Sequence, residues 1–137
     1  MKLPVIEAQN MSSILRRYPV ALAYVFGSAA TGNFTKGSDV DVAIVFMGGI
    51  GKEKRFEMRL ALMAQLANRL KRRVDVAVLN DIPSLFFHYI IVKEGKSIFR
   101  RSEAMQVEFE SGVMGRYFDF APFISLYNQH YVKRGHQ

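Results

Sequence analysis

The sequence predicts an α/β domain: a small mixed β-sheet flanked by helices and followed by a long C-terminal helical segment. Three observations support this fold class. Short apolar segments rich in β-forming residues occupy 20–26, 39–46 and 74–79. Apolar residues recur at helical spacing between the last two segments, as is typical of a helix that joins neighbouring strands. The helical pattern then returns after Ser102.

The first 38 residues predict a helix, a buried strand and a loop. Pro4 suits the first turn of a helix, and Pro19 ends that helix. Val20–Phe26 is a short apolar run, which predicts a buried strand that ends at Gly27. The small and turn-forming residues at 28–38 predict a short helical turn and a loop.

The middle of the chain predicts a second strand and a long helix. Side chains of the strand Asp39–Phe46 alternate between two faces, so Asp39 and Asp41 share the same face. Three glycines within residues 48–51 mark a turn, and a helix begins at Lys52. Its apolar side is predicted from helically spaced residues: Phe56, Leu60, Met63, Ala67 and Leu70.

The remaining segments predict a third strand, two helical regions and a short strand between them. Val74–Leu79 is the third strand, and a helix follows from about residue 80 to 92. Ser97–Arg100 is a short strand, and the chain then forms one long helix or a helix pair interrupted near Pro122. We therefore predict a single domain, 1–137, with an α/β core at 1–101 and a C-terminal helical segment at 102–137.

Composition narrows the function classes. The chain of 137 residues has no cysteine, which excludes disulfides and thiolate metal sites and suits a reducing cytoplasm. Its longest apolar runs, 21–26 and 85–92, are far shorter than the ~20 residues of a membrane span. We expect a soluble, cytoplasmic protein with no membrane association.

The net charge is +7, which favours phosphates, nucleic acid or an acidic protein as ligands without choosing among them. Part of the excess lies in basic residues that we interpret mainly as a solvated helix face: Lys52, Lys54, Arg55, Arg59, Arg69, Lys71, Arg72 and Arg73.

Asp39 and Asp41 form the most informative pair in the sequence. Carboxylates two residues apart on a strand leave the same face, with Cα atoms roughly 6–7 Å apart. Such a pair is unfavourable unless a positive charge lies between them. Two Mg²⁺ ions bridged by carboxylate and phosphate oxygens would supply that charge. The absence of thiolates and the scattered histidines (His88, His130 and His136) argue against zinc.

Asp75 is a third candidate metal ligand. It lies within an otherwise apolar strand, where an isolated ionised carboxylate costs several kcal/mol or shifts its pKa. If that strand is the neighbour of Asp39–Phe46, Asp75 completes a three-carboxylate site. The alternative is that Asp75 lies on the exposed face of an edge strand.

Gly27 and Ser28 are candidates for phosphate binding. Glycine permits a close approach of the backbone, and the start of a helical turn offers free N–H donors. The alternative is a tight turn with a serine cap. The distance from this dipeptide to the aspartate pair gives it meaning. Ser38 is a further candidate for cofactor binding, which would fix the loop before Asp39; the alternative is that it merely fills a turn. Lys36 is predicted to reach a triphosphate or to remain solvated.

These residues resemble the nucleotidyltransferase superfamily (polymerase-β-like fold), whose motif is Gly-Ser, about ten residues, Asp-x-Asp, and a later carboxylate. The corresponding stretches are FGSAATGNFTKGSDVDVAIVF and RRVDVAVLN. Nearly the whole chain is similar to the minimal nucleotidyltransferase (MNT) antitoxins that pair with HEPN toxins, the MntA-like adenylyltransferases. The segments IPSLFFHYIIVKEGKSIFRR and YFDFAPFISLYNQHYVKRG extend that similarity.

The resemblance implies a single nucleotidyltransferase domain that transfers AMP from ATP to a tyrosine of a HEPN ribonuclease toxin. Asp39 and Asp41 would bind two Mg²⁺ ions. Asp75 would complete the site and help to deprotonate the acceptor hydroxyl, while Gly27 and Ser28 would hold the phosphates. Family members often carry an arginine where this chain has Thr31, so a positive charge near the phosphates is missing here.

Two other functions remain open at this stage. A transferase for a small molecule, such as an aminoglycoside, would use the same metals, but its acceptor pocket usually needs another domain or a dimer. A non-catalytic module would neutralise a toxin or bind nucleic acid by contact alone, although we do not expect direct nucleic-acid binding. A polymerase is the least favoured, because one short domain leaves no room for template and primer.

Overall fold

In a computed structural model of the protein, the described backbone covers residues 5–31 and 37–135, and the described side chains cover 7–30 and 37–123. The elements in chain order are α1 (Val5–Leu15), β1 (Val20–Phe26), α2 (Ser28–Thr31), β2 (Val40–Phe46), α3 (Lys52–Leu70), β3 (Val74–Val78), α4 (Leu85–Glu94), β4 (Lys96–Arg100) and α5 (Glu103–Gly135). A short 3-10 helix, Leu79–Asp81, lies between β3 and α4. The predicted α/β fold is confirmed.

The four strands form one mixed sheet in the order β3-β2-β1-β4. β1 pairs antiparallel with both β2 and β4, whereas β2 and β3 are parallel. Parallel neighbours need a crossover connection, and α3 provides it between β2 and β3. β3 and β4 are therefore edge strands, while β1 lies inside the sheet and is buried from Val20 to Val25.

Helices cover both faces of the sheet because its strands present apolar side chains to both sides. On one face, α1 and α3 pack on the alternate β2 residues that the sequence assigned to a common side. This cluster contains Leu15 from α1, Leu62 and Leu66 from α3, and Val42 and Ile44 from β2. Their complete burial makes this layer the main core.

α4 and α5 cover the opposite face. Ala43 of β2 packs in a second cluster with Leu22 of β1 and Ile91 of α4. Tyr24 ties α5 to this face, because its hydroxyl donates to Glu110 Oε2 at 2.6 Å. Burial and this hydrogen bond raise the pKa of Tyr24, so the phenol remains protonated and continues to donate.

The predicted apolar side of α3 is partly wrong. Its buried residues are Met58, Leu62, Leu66 and Leu70. Phe56 and Leu60 are exposed, whereas Met63 and Ala67 are half-buried and pack at the margin of the core. Apolar residues occupy two rows of this helix, and the row at spacing four that includes Leu62 makes the longer continuous contact with the sheet.

Several predicted boundaries move by a few residues. β2 begins at Val40, so Asp39 precedes it, and β3 ends at Val78. α4 begins only at Leu85, because the Oγ of Ser84 accepts the Phe87 N–H and caps the helix. The C-terminal segment is one helix that continues through Pro122 rather than a helix pair. No helix in the described part of the chain is long and apolar enough to cross a membrane.

Candidate functional site

Two of the three predicted carboxylates lie on adjacent strands at the same level of the sheet. Asp41 of β2 and Asp75 of β3 are direct partners in the parallel register. Asp39 lies two residues before Asp41 and is exposed. The β2–β3 pairing that would place these residues together is therefore present, as expected from the helical connection.

Gly27 lies against the carboxylate of Asp41. β1 ends where Phe26 pairs with Asp41, and Gly27 then turns the chain with a φ of +68°. A Cβ atom added to Gly27 would lie 2.8 Å from Asp41 Oδ2, which is closer than real Cβ contacts. The left-handed backbone favours glycine here, and any larger residue would also have to displace the Asp41 carboxylate.

Asp41 experiences the strongest electrostatic effect in the site. Burial raises the pKa of its carboxyl above the ordinary value, and the charges of Asp75 and then Asp39 raise it further. The three carboxylates are therefore close enough to repel one another. A bound cation would relieve that repulsion and lower the pKa of Asp41.

Asp75 lies on an edge strand, and its side chain is 64% exposed. The alternative prediction, that Asp75 lies on the exposed face of an edge strand, is therefore correct. The free-energy cost of burying an ionised carboxylate, which the sequence suggested for Asp75, does not arise. Asp75 nevertheless faces Asp41 across the strand pair. Its Oδ1 accepts a hydrogen bond from Arg59 Nη2 at 3.3 Å.

The carboxylates fit a magnesium ion in their chemistry and in the placement of their strands. All three supply hard oxygen donors, and Asp41 carries an unfavourable negative charge that a cation would stabilise. Among the described side chains, however, no three acidic or histidine groups converge closely enough to hold a metal ion. The pairing of Asp75 with Arg59 offers a physical reason, because it directs one of the three donors towards α3.

The other predicted binding residues lie in the turn after β1 and in the loop that leads to β2. Ser28 is half-buried and begins α2, and the Ala30 N–H donates to the Gly27 carbonyl at 3.0 Å within this turn. Ser38 is half-buried just before Asp39. Lys36 lies outside the described residues, and so does the side chain of Thr31. The predicted phosphate contacts of this loop thus remain predictions.

His88, which we did not favour as a zinc ligand, is occupied by the backbone. Its Nε2 lies 2.7 Å from the Ile82 carbonyl oxygen and 3.1 Å from the Leu79 carbonyl oxygen. This side chain holds the start of α4 against the 3-10 helix. The side chains of His130 and His136 lie outside the described residues.

Grooves lie on both sides of Asp75. One lies between α3 and β3 and is mostly apolar, with Phe56, Ala77 and Ile82 among its lining residues and Lys52 and Arg59 among its cations. The other contains Asp39 and Arg73 and is bounded by the middle of α3. Asp75 thus lines both grooves.

Arg59 and Phe56 are the two residues at this site that the sequence did not indicate. Arg59 was assigned to a solvated helix face, and Phe56 to the core. The exposed fraction of Phe56 is 55%, and the Arg59 guanidinium reaches both Asp75 and the Val76 carbonyl. The sequence signal that could have identified them is the position of α3 as the crossover helix, which places one of its rows beside β3.

A glycine turn beside paired carboxylates on adjacent strands is typical of a phosphoryl-transfer site that uses metal ions. The family comparison agrees with this class. Residues 9–104 match the family described as polymerase beta, nucleotidyltransferase. The chain therefore belongs to the polymerase beta-type nucleotidyltransferase family. No curated protein matches it in sequence.

Solved structures with a similar fold include toxin–antitoxin complexes. One, a toxin–antitoxin with AMP-PNP, has a TM-score of 0.71 at 20% identity, covering 98% of this chain and 100% of that chain. Another is a tri-AMPylated Shewanella oneidensis HEPN toxin in complex with an MNT antitoxin, with a TM-score of 0.69, 19% identity, and coverages of 96% and 98%. A third, the toxin–antitoxin MntA–HepT, has a TM-score of 0.68 at 18% identity, covering 98% and 100%. At these identities the similarity establishes the fold.

Proposed function

We propose that this chain is an antitoxin that transfers AMP from ATP to a tyrosine hydroxyl of a HEPN toxin and releases pyrophosphate. The observation that carries the proposal is the register of Asp41 with Asp75, beside the glycine turn at the end of β1. Family membership supports nucleotidyl transfer. The similar structures that contain AMP-PNP and a tri-AMPylated HEPN toxin support ATP as the donor and a protein as the acceptor.

The three aspartates would form the metal site. Asp39 and Asp41 would hold Mg²⁺, and Asp75 would complete the ligand set. When bound, Mg²⁺ supplies positive charge to the phosphate oxygens and to the departing pyrophosphate. Among the carboxylates, Asp41 is the one whose ionised form depends most on that charge, because burial and its acidic neighbours raise its pKa.

The transfer itself would need little covalent chemistry from the protein. The acceptor oxygen attacks the α-phosphorus, the new P–O bond forms, and the bond between the α- and β-phosphates breaks. Asp75 would receive the hydroxyl proton, since its side chain is exposed and it is in register with Asp41. Gly27 and Ser28 would hold the β- and γ-phosphates with backbone N–H groups and a hydroxyl, so that the reacting atoms stay aligned.

A protein acceptor is favoured by the exposed aromatic residues of α5. Phe118 and Phe123 are 63% and 66% exposed, and Phe120 is exposed beside them. The helix is held to the domain at Tyr117, whose ring stacks on Tyr89 at a centroid distance of 3.6 Å. Exposed apolar side chains grouped on one helix are typical of a protein-binding surface. We propose that this surface binds the toxin; Tyr127 and Tyr131 continue the sequence pattern outside the described side chains.

The acceptor is tested directly with ATP labelled at the α-phosphate. The purified chain is incubated with Mg²⁺ and labelled ATP in separate reactions with a HEPN protein, with a panel of aminoglycosides, and with RNA. We expect label on the HEPN protein, and we expect mass spectrometry to locate AMP on a tyrosine. Label on an aminoglycoside would instead support a small-molecule transferase. If no acceptor is labelled although the complex with the HEPN protein forms, a non-catalytic binding role would replace the proposal.

A further inference from the structure

Arg59 connects the edge of the sheet to the candidate metal site. Its Nε donates to the Val76 carbonyl oxygen at 2.6 Å, and its Nη2 donates to Asp75 Oδ1 at 3.3 Å. β3 has a neighbouring strand on one side only, so the Val76 carbonyl has no strand partner on the other side. Arg59 therefore satisfies an edge carbonyl with one nitrogen and pairs with a candidate ligand through another.

The two contacts differ in strength. The contact with Val76 is short and involves the backbone, whereas the ion pair with Asp75 is a single longer contact between side chains that are 32% and 64% exposed. Exposed ion pairs contribute little, because solvent screens them and long side chains lose entropy. A divalent cation can therefore displace the Asp75 contact while Arg59 stays attached to Val76.

We propose that Arg59 is a positioning residue that competes with the metal ion for Asp75. In this competition the guanidinium pairs with Asp75 Oδ1 and holds the carboxylate towards α3. Metal binding displaces this contact, and Asp75 then joins Asp39 and Asp41. The inference rests on the proposed role of Asp75 as a metal ligand.

The test measures metal binding rather than transfer. Mn²⁺ serves as the probe, and its affinity is titrated by electron paramagnetic resonance without nucleotide for the intact chain, Arg59→Gln, Asp75→Asn and the double variant. Because the competing pair is exposed, we expect Arg59→Gln to tighten Mn²⁺ binding by roughly two- to five-fold. In the Asp75→Asn background the same substitution is expected to have a much smaller effect, since the contested carboxylate is gone.

Arg69→Gln is the matched control. It removes the same charge from the last turn of the same helix, where Arg69 Nη2 contacts Asn10 Oδ1 of α1 rather than a carboxylate. We expect its Mn²⁺ affinity to equal that of the intact chain. Thermal unfolding followed by circular dichroism verifies that each variant is folded, which matters because Arg59 also supports the edge strand.

The possible outcomes separate this inference from the proposed function. The proposed competition is overturned if Arg59→Gln does not bind Mn²⁺ more tightly than the intact chain. It is also overturned if Arg59→Gln tightens binding equally in the intact chain and in Asp75→Asn, because an equal gain requires only the loss of a nearby positive charge. If Asp75→Asn does not weaken Mn²⁺ binding at all, Asp75 is not a ligand, and the proposed site itself is wrong. Rescue of the original, weaker affinity by Arg59→Lys would show that a cation at this position is sufficient for competition.

Discussion

Two arginines one helical turn apart on α3 each pair with an aspartate. The two ion pairs differ in the number of their contacts and in their exposure to solvent. Arg55 contacts both carboxylate oxygens of Asp81, with Nε at 3.2 Å from Oδ1 and 3.0 Å from Oδ2, and it also donates to the Ile50 carbonyl. Arg59 makes one contact of 3.3 Å with Asp75. Side-chain exposure is 19% and 22% in the first pair but 32% and 64% in the second.

On the proposed function, this difference separates a structural ion pair from one that involves a candidate site residue. The Arg55–Asp81 pair holds the start of α3 against the 3-10 helix, and its hydrogen bonds lower the pKa of Asp81. A carboxylate held in this way has both oxygens engaged. Asp75 has one oxygen engaged in a single longer contact, and its side chain is accessible. The bidentate pair thus stabilises the fold, and the single contact leaves a carboxylate available to the site.

The largest expected effect is on the rate of nucleotidyl transfer, when the charge of Asp75 rather than that of Asp81 is removed. We expect Asp75→Asn to lower the rate of nucleotidyl transfer by at least about a hundredfold, since a group that contacts the reacting atoms is lost. Its melting temperature should stay close to that of the parent. Asp81→Asn is the matched control and should keep its activity while melting at a lower temperature. Equal loss of activity in both variants would contradict the division of roles.

Gly27 tests whether the site depends on its backbone as well as on its charges. Gly27→Ala places a methyl group in a left-handed turn and against Asp41 Oδ2. We expect a loss of about 1–2 kcal/mol in the free energy of unfolding, measured in urea, together with weaker metal binding. Gly48→Ala is the control, because no atom would lie within 4 Å of its new Cβ. Equal stability of the two variants would show that the turn can relax.

Stability should also distinguish the two arginines. Arg55→Gln removes a bidentate partner of Asp81 and a donor to Ile50, so we expect its melting temperature to fall by a few degrees. Arg59→Gln loses one weak ion pair and one edge contact, and a smaller fall is expected. Scanning calorimetry of both variants in metal-free buffer provides the measurement. A larger fall for Arg59→Gln would mean that the edge contact is the stronger structural element.

The smallest expected effects lie in the pH dependence of stability without metal. Arg55 lowers the pKa of Asp81 in the folded protein. The ion pair therefore contributes fully to the free energy of unfolding above the ordinary aspartate pKa of about 4, and this contribution is lost as the pH falls through the lower pKa of the folded state. Asp41 behaves oppositely: its raised pKa makes ionisation unfavourable in the folded state, so stability is lost as the pH rises above about 4 through the raised value.

Two variants measured in urea with a chelator check these opposite signs. Asp41→Asn should be more stable than the parent at neutral pH, and its advantage should disappear below about pH 4. Arg55→Gln should be less stable at neutral pH, with a deficit that shrinks at low pH. An Asp41→Asn protein that is less stable than the parent at neutral pH would contradict the repulsion between the carboxylates.

Much of the fold was predictable because local patterns agreed with long-range packing. Val20–Phe26 is an uninterrupted apolar run that ends in glycine, and β1 has the same bounds. The predicted position of Asp75 beside Asp41 followed from the helix that connects their strands, and the parallel register confirms it. The roles assigned to these carboxylates, in contrast, remain predictions that only the variants above can test.

Other features could not be read from the sequence, because they depend on how the elements pack. α3 offers two apolar rows, and nothing local decides whether Phe56 or Met58 faces the sheet. The ion pair of Arg59 requires this helix to lie along the β3 edge with one specific rotation. Burial of Asp75 was expected from its apolar neighbours in sequence, but an edge strand exposes the residues that point away from the core.

The most direct test of the proposed function is the double substitution Asp39→Asn with Asp41→Asn in cells that express the HEPN partner. We predict that the double variant still co-purifies with the partner, leaves its tyrosines unmodified, and no longer protects the cells. The intact chain should protect them and produce a partner carrying AMP. Full protection by the double variant, with no AMP on the partner, would show that neutralisation occurs by contact alone and would contradict the central claim.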